Sequence, residues 1–465
     1  MATRNTPTTS TLEEWRVEFN ELATDIGNVT ASTQGDQLTT SATDIVGAIN
    51  ELETNVNAIT TSMSVVTDTT PQLGGDLDMN SKNIDFPSTP NISDVKDEDN
   101  MASNSATMLA TQQSIKAYVD TAVPASYNMI INGDMTIAQR GITITDTAVD
   151  SVSTTTNADD SYTLDRWVLV SDGDNIVDVT QQHDGPDGGG TKSIRLDVET
   201  IDKQFGIVQW IEHQNCHEAI GGNVSLSFKM KVTGTKMDDV RAAVVAWSGT
   251  RDAPTSDIVA TWQTEGTVPT LATTCTYENT SANLSPTTSW ATYTIENVSV
   301  DTSSTENIGV FIWSGVDDTD ADNYLYITDV QLETSATANA FKRQPVSQTL
   351  KDCERYLETS MNWGEDSVFE GQKVVYGLGS ATYAAAVNSI GGIQYRTRKR
   401  TSPTTVIYDQ DGLAGSVYRI HDGVRVSGTV AAQHTSDYGF TFATKTGAFG
   451  HGYSYYYGYT AEAEL

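Results

Sequence analysis

The chain has 465 residues, 38% hydrophobic and only 19% charged, and its 61 Asp and Glu against 27 Lys and Arg give a formal net charge of −34. That length accommodates roughly two to four domains with their own cores. A remainder rich in Thr, Ser, Asn and Asp suits β-sandwiches and polar stalks better than a helical enzyme. So acidic a body repels nucleic acid and anionic membranes, which removes both from the expected partners.

No run reaches the roughly 18 consecutive apolar residues of a membrane span, and "MATRNTPTTST" lacks the apolar core of a signal peptide, so neither membrane insertion nor secretion is expected. Cys216, Cys275 and Cys353 form an odd set without a C-x-x-C pair, which argues against a disulfide framework or a zinc site. The charge is uneven: 5 basic against 18 acidic residues over 1–126, 12 against 31 over 127–350, and 10 against 12 over 351–465.

The first periodic segment places Leu12, Trp15, Phe19, Leu22, Ile26 and Val29 on one apolar seam of a helix. A second seam runs Ile45, Ile49, Leu52, Val56, Ile59, Met63 and Val66 at alternating spacings of four and three. Read as heptads, it has β-branched residues at both a and d, the pattern that favours three or more parallel strands, so a trimeric coiled coil is expected. Thr43 is positioned to cap this helix with Asp44 at its positive end. Gly47 costs about 1 kcal/mol relative to Ala, and so short a helix is marginal alone, which leaves association to supply the difference.

Between residues 69 and 86, Gly74 and Gly75 mark a turn and Leu77, Met79 and Ile84 a short β element too small to bury a core unless three copies assemble. A third helix is predicted over 103–123, with Met108, Ile115, Val119 and Ala122 on one face and a stop at Pro124. Next, "YNMIINGDMTIAQRG" (127–141) reads as a strand and turn opening a β domain, with Arg140 a partner for surrounding carboxylates. From there to about residue 340 the pattern is strands and polar turns, including "SLSFKMKV" (225–232), which sends Leu226, Phe228, Met230 and Val232 to one side. Such a series indicates an antiparallel sandwich or jelly roll. Residues 346–358 form a short helix or connector, and a second, smaller β domain fills the rest.

Familiar catalytic motifs are missing: there is no G-x-x-x-x-G-K-[ST], G-x-S-x-G, H-E-x-x-H or strand-following G-x-G-x-x-G. His213 and His217 of "HQNCH" stand four apart but between a strand pattern and a turn, a poor setting for a metal pair. Carboxylate pairs are too numerous to single one out for glycoside hydrolysis. Asp318, Asp320 and Asp322 alternate as the first half of a Ca²⁺ loop does, without the Gly and distal Glu that complete one, and are the candidate calcium ligands. No other cofactor is expected.

Aromatic faces stack on pyranose rings, so tyrosines and tryptophans are the natural sugar-binding resource. Trp167, Trp210, Trp247 and Trp313 lie in strand patterns and are expected in the core. In the terminal "GYSYYYGYTAEAEL", Tyr453, Tyr455, Tyr457 and Tyr459 share one strand face and Tyr456 the other, and these five are candidate glycan contacts. Arg396, Arg398, Lys399 and Arg400 of "YRTRKR" (395–400) join them as candidates for meeting an anionic surface.

The sequence resembles the tail fibre and appendage proteins of tailed bacteriophages, especially those of marine and cyanobacterial hosts. The resemblance is carried, in order, by "STLEEWRVEFNELATDIG", "TDIVGAINELE", "PQLGGDLDMNSKNI", "LATQQSIKAYVD", "NMIINGDMTIAQRG" with "LDRWVL", "VQLETSATANAFKRQP" with "CERY", and "TAEAEL". Ser335 and Gln348 depart from the family pattern, where Gly and Glu are common. The resemblance implies a mainly β, elongated homotrimeric fibre: virion-proximal helices and coiled coil over 1–68, a short β element and helix over 69–126, a jelly roll similar to carbohydrate-binding modules over 127–345, and a connector with a β tip over 346–465. The implied role is that of a non-enzymatic virion protein assembled in the host cytoplasm. Its N-terminus would join other tail or virion proteins, and its β domains would recognise host surface polysaccharide. An adaptor, collar or head-attached fibre, or a glycan-degrading tailspike, are the alternative roles.

Overall fold

A computed structural model of the protein describes residues 11–27, 45–62, 92–122, 127–146, 156–188, 190–302, 304–360, 376–377, 388–409, 411–419, 423–427, 430–444 and 455–465. The chain divides into two compact units, Met1–Tyr118 and Val119–Leu465.

In the first unit, helix Leu12–Gly27 starts at a capping box: Thr11 Oγ1 accepts from Glu14 N, and Glu14 Oε2 accepts from Thr11 N at 2.6 Å. Helix Ile45–Ser62 follows. On their seams, Leu12, Phe19 and Ile49 are 91%, 61% and 59% exposed, and Trp15, Leu52 and Val56 are exposed as well. Val29, Met63 and Val66 lie outside the described residues, as do the side chains of Leu22, Ile26, Ile45 and Ile59 and the 69–86 element. The predicted third helix is shorter than its pattern suggested. It spans Gln112–Ala122, because Met108–Ala110 instead pairs in parallel with Asp94–Lys96. Thr111 marks the switch by capping the helix, its Oγ1 accepting from Ser114 N at 3.1 Å.

The second unit opens with a β-sandwich of two six-stranded antiparallel sheets. The first runs Cys275–Tyr277, Val240–Trp247, Asn307–Ser314, Phe205–Trp210, Val168–Ser171 and Ser161–Tyr162. The second runs Ala291–Ser299, Asn223–Thr233, Tyr324–Glu333, Ser193–Val198, Val177–Gln182 and Thr143–Ile144. Their facing sides make the main core, into which Leu226, Phe228, Met230 and Val232 all project. Every position of Val240–Trp247 and Asn307–Ser314 is buried, since the first sheet is covered on both sides. Its outer cover is a hairpin of Val259–Thr261 and Thr270–Leu271, with Trp262 and Val268 packed against the cluster that contains Trp210, Trp247, Phe311 and Trp313. The four tryptophans expected in the core are buried there, Trp167 between the sheets. The outer side of the second sheet stays polar.

Residues 127–142 form no strand. Asn132 and Met135 adopt positive φ, and side chains replace the ladder: Asn132 Oδ1 accepts from Ile137 N at 2.9 Å, and Gln209 exchanges two hydrogen bonds with the Ile131 backbone. A Cβ added at Gly133 would run into the Val330 carbonyl, so only glycine fits this close approach.

Helix Val346–Glu354 leads into strand Leu357–Thr359, which pairs with Gly458–Glu462, itself paired with Thr404–Tyr408. Two further small sheets complete this part around a core that includes Tyr395, Ile407, Val417, Phe440, Tyr455 and Tyr459. It is joined to the sandwich by a buried network. Gln139 donates to Asp165 Oδ1 and to Leu357 O, both at 2.7 Å, and Arg140 and Arg166 both pair with Glu464.

Candidate functional site

The polar outer side of the second sheet carries a groove of about 390 Å³. Its floor follows from strand alternation. Inward Leu226, Phe228 and Met230 leave Ser227 and Lys229 facing out, and the register sets Thr292 beside Lys229 and Thr294 beside Ser227. On the other flank Thr328 pairs with Lys229, then a bulge shifts the register before Gln331. Asp329, at φ 52°, sits on that bulge and turns its carboxylate into the floor, where Lys229 Nζ lies 3.0 Å from Oδ2 and Arg343 Nη2 donates to Oδ1 at 2.8 Å. Arg343 also donates to Asp134 at 3.1 Å, and its guanidinium lies 5.5 Å from the Phe341 ring centroid.

The wall from Ala338 to Arg343 is fixed by the "QLE" residues. Glu333 accepts from Asn339 N at 2.6 Å and from its side chain at 2.9 Å, while Gln331 Oε1 accepts from Lys342 N at 3.0 Å. Elsewhere on this side Lys231 is clamped, at 2.7 Å from Asp184 Oδ2 and 4.4 Å from the Tyr326 ring centroid. The groove thus presents hydroxyls, an amide, a neutralised charge cluster and a rim aromatic. This set matches a hydroxylated ligand, which both donates and accepts hydrogen bonds. Asp329 is held between two cations, Lys229 and Arg343, and so ties the floor of the groove to its wall.

The residues singled out in the sequence fall elsewhere. Tyr455, Tyr457 and Tyr459 are buried and belong to the core of the smaller domain, so they offer no ligand surface; Tyr456 is half-buried, and Tyr453 lies outside the described residues. Of the two tyrosine faces, the one with Tyr455, Tyr457 and Tyr459 is the inner one, in a strand region that pairs with Leu357–Thr359 and Thr404–Tyr408. Lys399 is fully enclosed, 2.6 Å from Glu358 Oε2, and burial lowers its pKa. Arg400 donates to the carbonyls of Ala463, Asp252 and Glu464. Arg396 pairs with Glu354 at 2.9 Å and Arg398 with Asp437 at 2.7 Å, which leaves those two at the surface but engaged. The basic run is therefore split, with Lys399 and Arg400 turned inward and Arg396 and Arg398 paired at the surface.

Asp318 and Asp320 face Lys236 Nζ at 3.6 and 3.3 Å, and Asp322 accepts from Tyr324 OH at 3.4 Å, so the three do not converge as calcium ligands. Among the described residues no group of three or more His, Cys, Asp or Glu is placed to hold a metal ion. His213–Cys216 is a short helix rather than a strand end, and the His213 and His217 rings stack at 6.1 Å. Sequence reasoning missed Lys229, Asp329, Phe341 and Arg343. Lys229 was visible as the outward face of "SLSFKMKV", whereas the other three depend on a bulge and a returning segment that leave no periodic trace.

No family model and no curated protein matches the sequence. Among solved structures the chain is similar to TmCBM61 in complex with β-1,4-galactotriose, at TM-score 0.22 and 15% identity over 36% of this chain and 88% of that one. It is similar to the enzymatically active domain of bacteriophage CBA120 tailspike protein 4, at TM-score 0.24 and 16% identity over 40% of this chain but only 21% of that one. A third similarity is to the C-terminal family 22 carbohydrate-binding module of Clostridium thermocellum Xyn10B, at TM-score 0.25 and 10% identity over 39% of this chain and 94% of that one. Among the described residues no helix is long and apolar enough to cross a membrane.

Proposed function

We propose that this chain is the subunit of a homotrimeric phage fibre, a non-enzymatic virion protein that joins the particle through its N-terminal helices and recognises a host surface glycan through its β-sandwich. The observation that carries the reading is the pair of exposed helical seams. Leu12, Trp15 and Phe19 on one helix and Ile49, Leu52 and Val56 on the other are apolar at heptad spacing and uncovered in the single chain. Apolar stripes of this width are satisfied by copies of themselves. The groove over Lys229 and Asp329 supports the glycan part, since three modest sites on one trimer give an avidity that no single site has.

Sedimentation of the pure protein tests the assembly: a species of three chains is expected, and a monomer at micromolar concentration overturns it. Retention on host polysaccharide without release of reducing ends is expected of a fibre. Release of reducing ends would make the chain a tailspike enzyme instead.

A further inference from the structure

We propose that the chain carries a second saccharide site, separate from the groove on the second sheet, where two clefts meet at Tyr127 and accept an uncharged oligosaccharide. Tyr127 is 58% exposed, yet the backbone beside it is pinned: Met129 N donates to Leu332 O, and Asn128 Nδ2 to Val330 O, each at 2.9 Å. The Tyr127 hydroxyl donates to the Asn215 carbonyl at 3.2 Å. The residue is thus held in place while more than half of its surface stays in solvent.

On one side lies a cleft of about 340 Å³ reaching Gln344 and Asp352, and on the other a cleft of about 440 Å³ reaching Glu218; Tyr127, Gln214 and Asn215 line both. Each is within the range of roughly 300–1,000 Å³ typical of small-ligand sites. Gln214 and Asn215 come from "HQNCH", a stretch the groove on the second sheet does not use.

The chemistry of these walls is that of sugar recognition. A primary amide offers a donor and an acceptor side by side, matching a hydroxyl that does both, and the clefts hold four such side chains: Asn128, already engaged with the Val330, Ile130 and Leu332 backbone, and Gln214, Asn215 and Gln344. An exposed tyrosine ring packs against the C–H face of a pyranose. Two clefts sharing one ring suit successive sugars on either side of it.

The charge selects against acidic sugars. Asp352 and Glu218 line the clefts, and Arg355, the guanidinium of the first, is held by both Glu212 oxygens at 2.7 and 3.0 Å. The same field is felt by Tyr127, whose hydroxyl pKa is pushed up to about 12 by burial and then by Cys216, Asp352, Glu218 and Glu212. Uronates and sulfated sugars are repelled there.

The test is titration calorimetry of the full chain with cellotriose, maltotriose, mannotriose and trigalacturonate. At least one neutral trisaccharide is expected to bind and trigalacturonate to fail. Tyr127→Ala should weaken binding about tenfold or more, Tyr127→Phe less than about threefold, and Phe341→Ala, in the other groove, less than about twofold. The proposal is overturned if no neutral trisaccharide binds at millimolar concentration, if trigalacturonate binds more tightly, or if Tyr127→Ala binds as the parent does. Loss in Phe341→Ala with Tyr127→Ala unaffected also overturns it while leaving the groove on the second sheet intact.

Discussion

The Arg140 guanidinium donates to Glu462 at 2.6 Å across 322 residues of sequence, joining the start of the sandwich to the last strand of the smaller domain. Near it stand three of the other short motifs that carry the resemblance to phage fibres. Asp165 and Arg166 come from "LDRWVL", Arg355 and Tyr356 from "CERY", and Glu464 from "TAEAEL". Arg166 pairs with Glu464, donates to Trp210 O at 2.7 Å and stacks over Tyr356 at 3.8 Å. Burial opposes the Arg140 charge, yet Glu462, Glu464 and Asp165 raise its pKa, so it stays a cation. These motifs hold two domains in register rather than a ligand.

Glu464→Gln should therefore loosen the joint. It leaves Arg166 buried without its counter-charge, at a cost of about 3–5 kcal/mol. Calorimetry is expected to split one transition into two, the smaller domain melting first. A single transition at the parental temperature would contradict the joint.

Lys399 and Glu358 make the second buried pair, and here the surroundings say which partner suffers more. Glu358 keeps hydrogen bonds from Tyr459 OH at 2.6 Å and Arg396 N at 3.1 Å when the lysine is gone, yet it remains a buried anion. Lys399→Met should cost about 3–5 kcal/mol, and adding Glu358→Gln should restore a good part of it. Chemical denaturation of the two variants checks this, and equal midpoints for single and double variants would argue against it.

How much of this was legible depended on where each residue's partners lie. "SLSFKMKV" was readable because its apolar residues face the core and its Ser and Lys residues the polar outer side of the sheet, so the alternation is local. The stretch from Tyr127 to Gly141 misled because its apolar run is buried by side-chain bonds from Gln209, Asn128 and Asn132, none of which leaves a periodic mark. The tyrosine alternation near the end was real, but its inner face is chosen by Leu357–Thr359 and Thr404–Tyr408, far away in sequence. Asp329 and Arg343 meet only because a bulge and a returning segment bring them together.

A pH effect is expected at Asp178. Its pKa is raised to about 7 by burial and then by Glu199, with Asp197 and Asp146 adding like charge. Because the folded value lies above the unfolded one, near 3.8, the fold binds more protons between the two; this contribution is complete at low pH and is lost as pH rises through about 7. Asp178→Asn, which can still accept from Asn157, should gain about 1 kcal/mol at pH 8, discounted for the half-exposed site, or about 2–4 °C in Tm. At pH 4 the gain should shrink. A gain independent of pH would place its origin elsewhere.

The helical seams give a differential test. Ile49 is exposed in the single chain, so Ile49→Asp should change monomer stability by no more than about 0.5 kcal/mol. In a three-chain seam the same change buries three carboxylates side by side. Sedimentation should fall from three chains to one while far-ultraviolet circular dichroism of the β domains holds. Retention of the larger species would remove this helix from the interface.

The groove on the second sheet is best probed where the fold does not depend on the residue. Asp329→Asn is a poor choice, since it strips a buried carboxylate from Lys229 and Arg343 and releases the wall along with any ligand. Phe341 and Thr292 stand at the rim and on the exposed edge strand, and neither anchors a buried charge. Phe341→Ala removes the aromatic ring that the groove presents, the other lining aromatic, Phe228, being buried in the core, and Thr292→Val removes one hydroxyl while keeping the strand's shape. Affinity electrophoresis through host polysaccharide should show Phe341→Ala weakened about tenfold and Thr292→Val about threefold, both with Tm within about 2 °C of the parent. Full retention of both variants would mean that the glycan is held elsewhere on the chain.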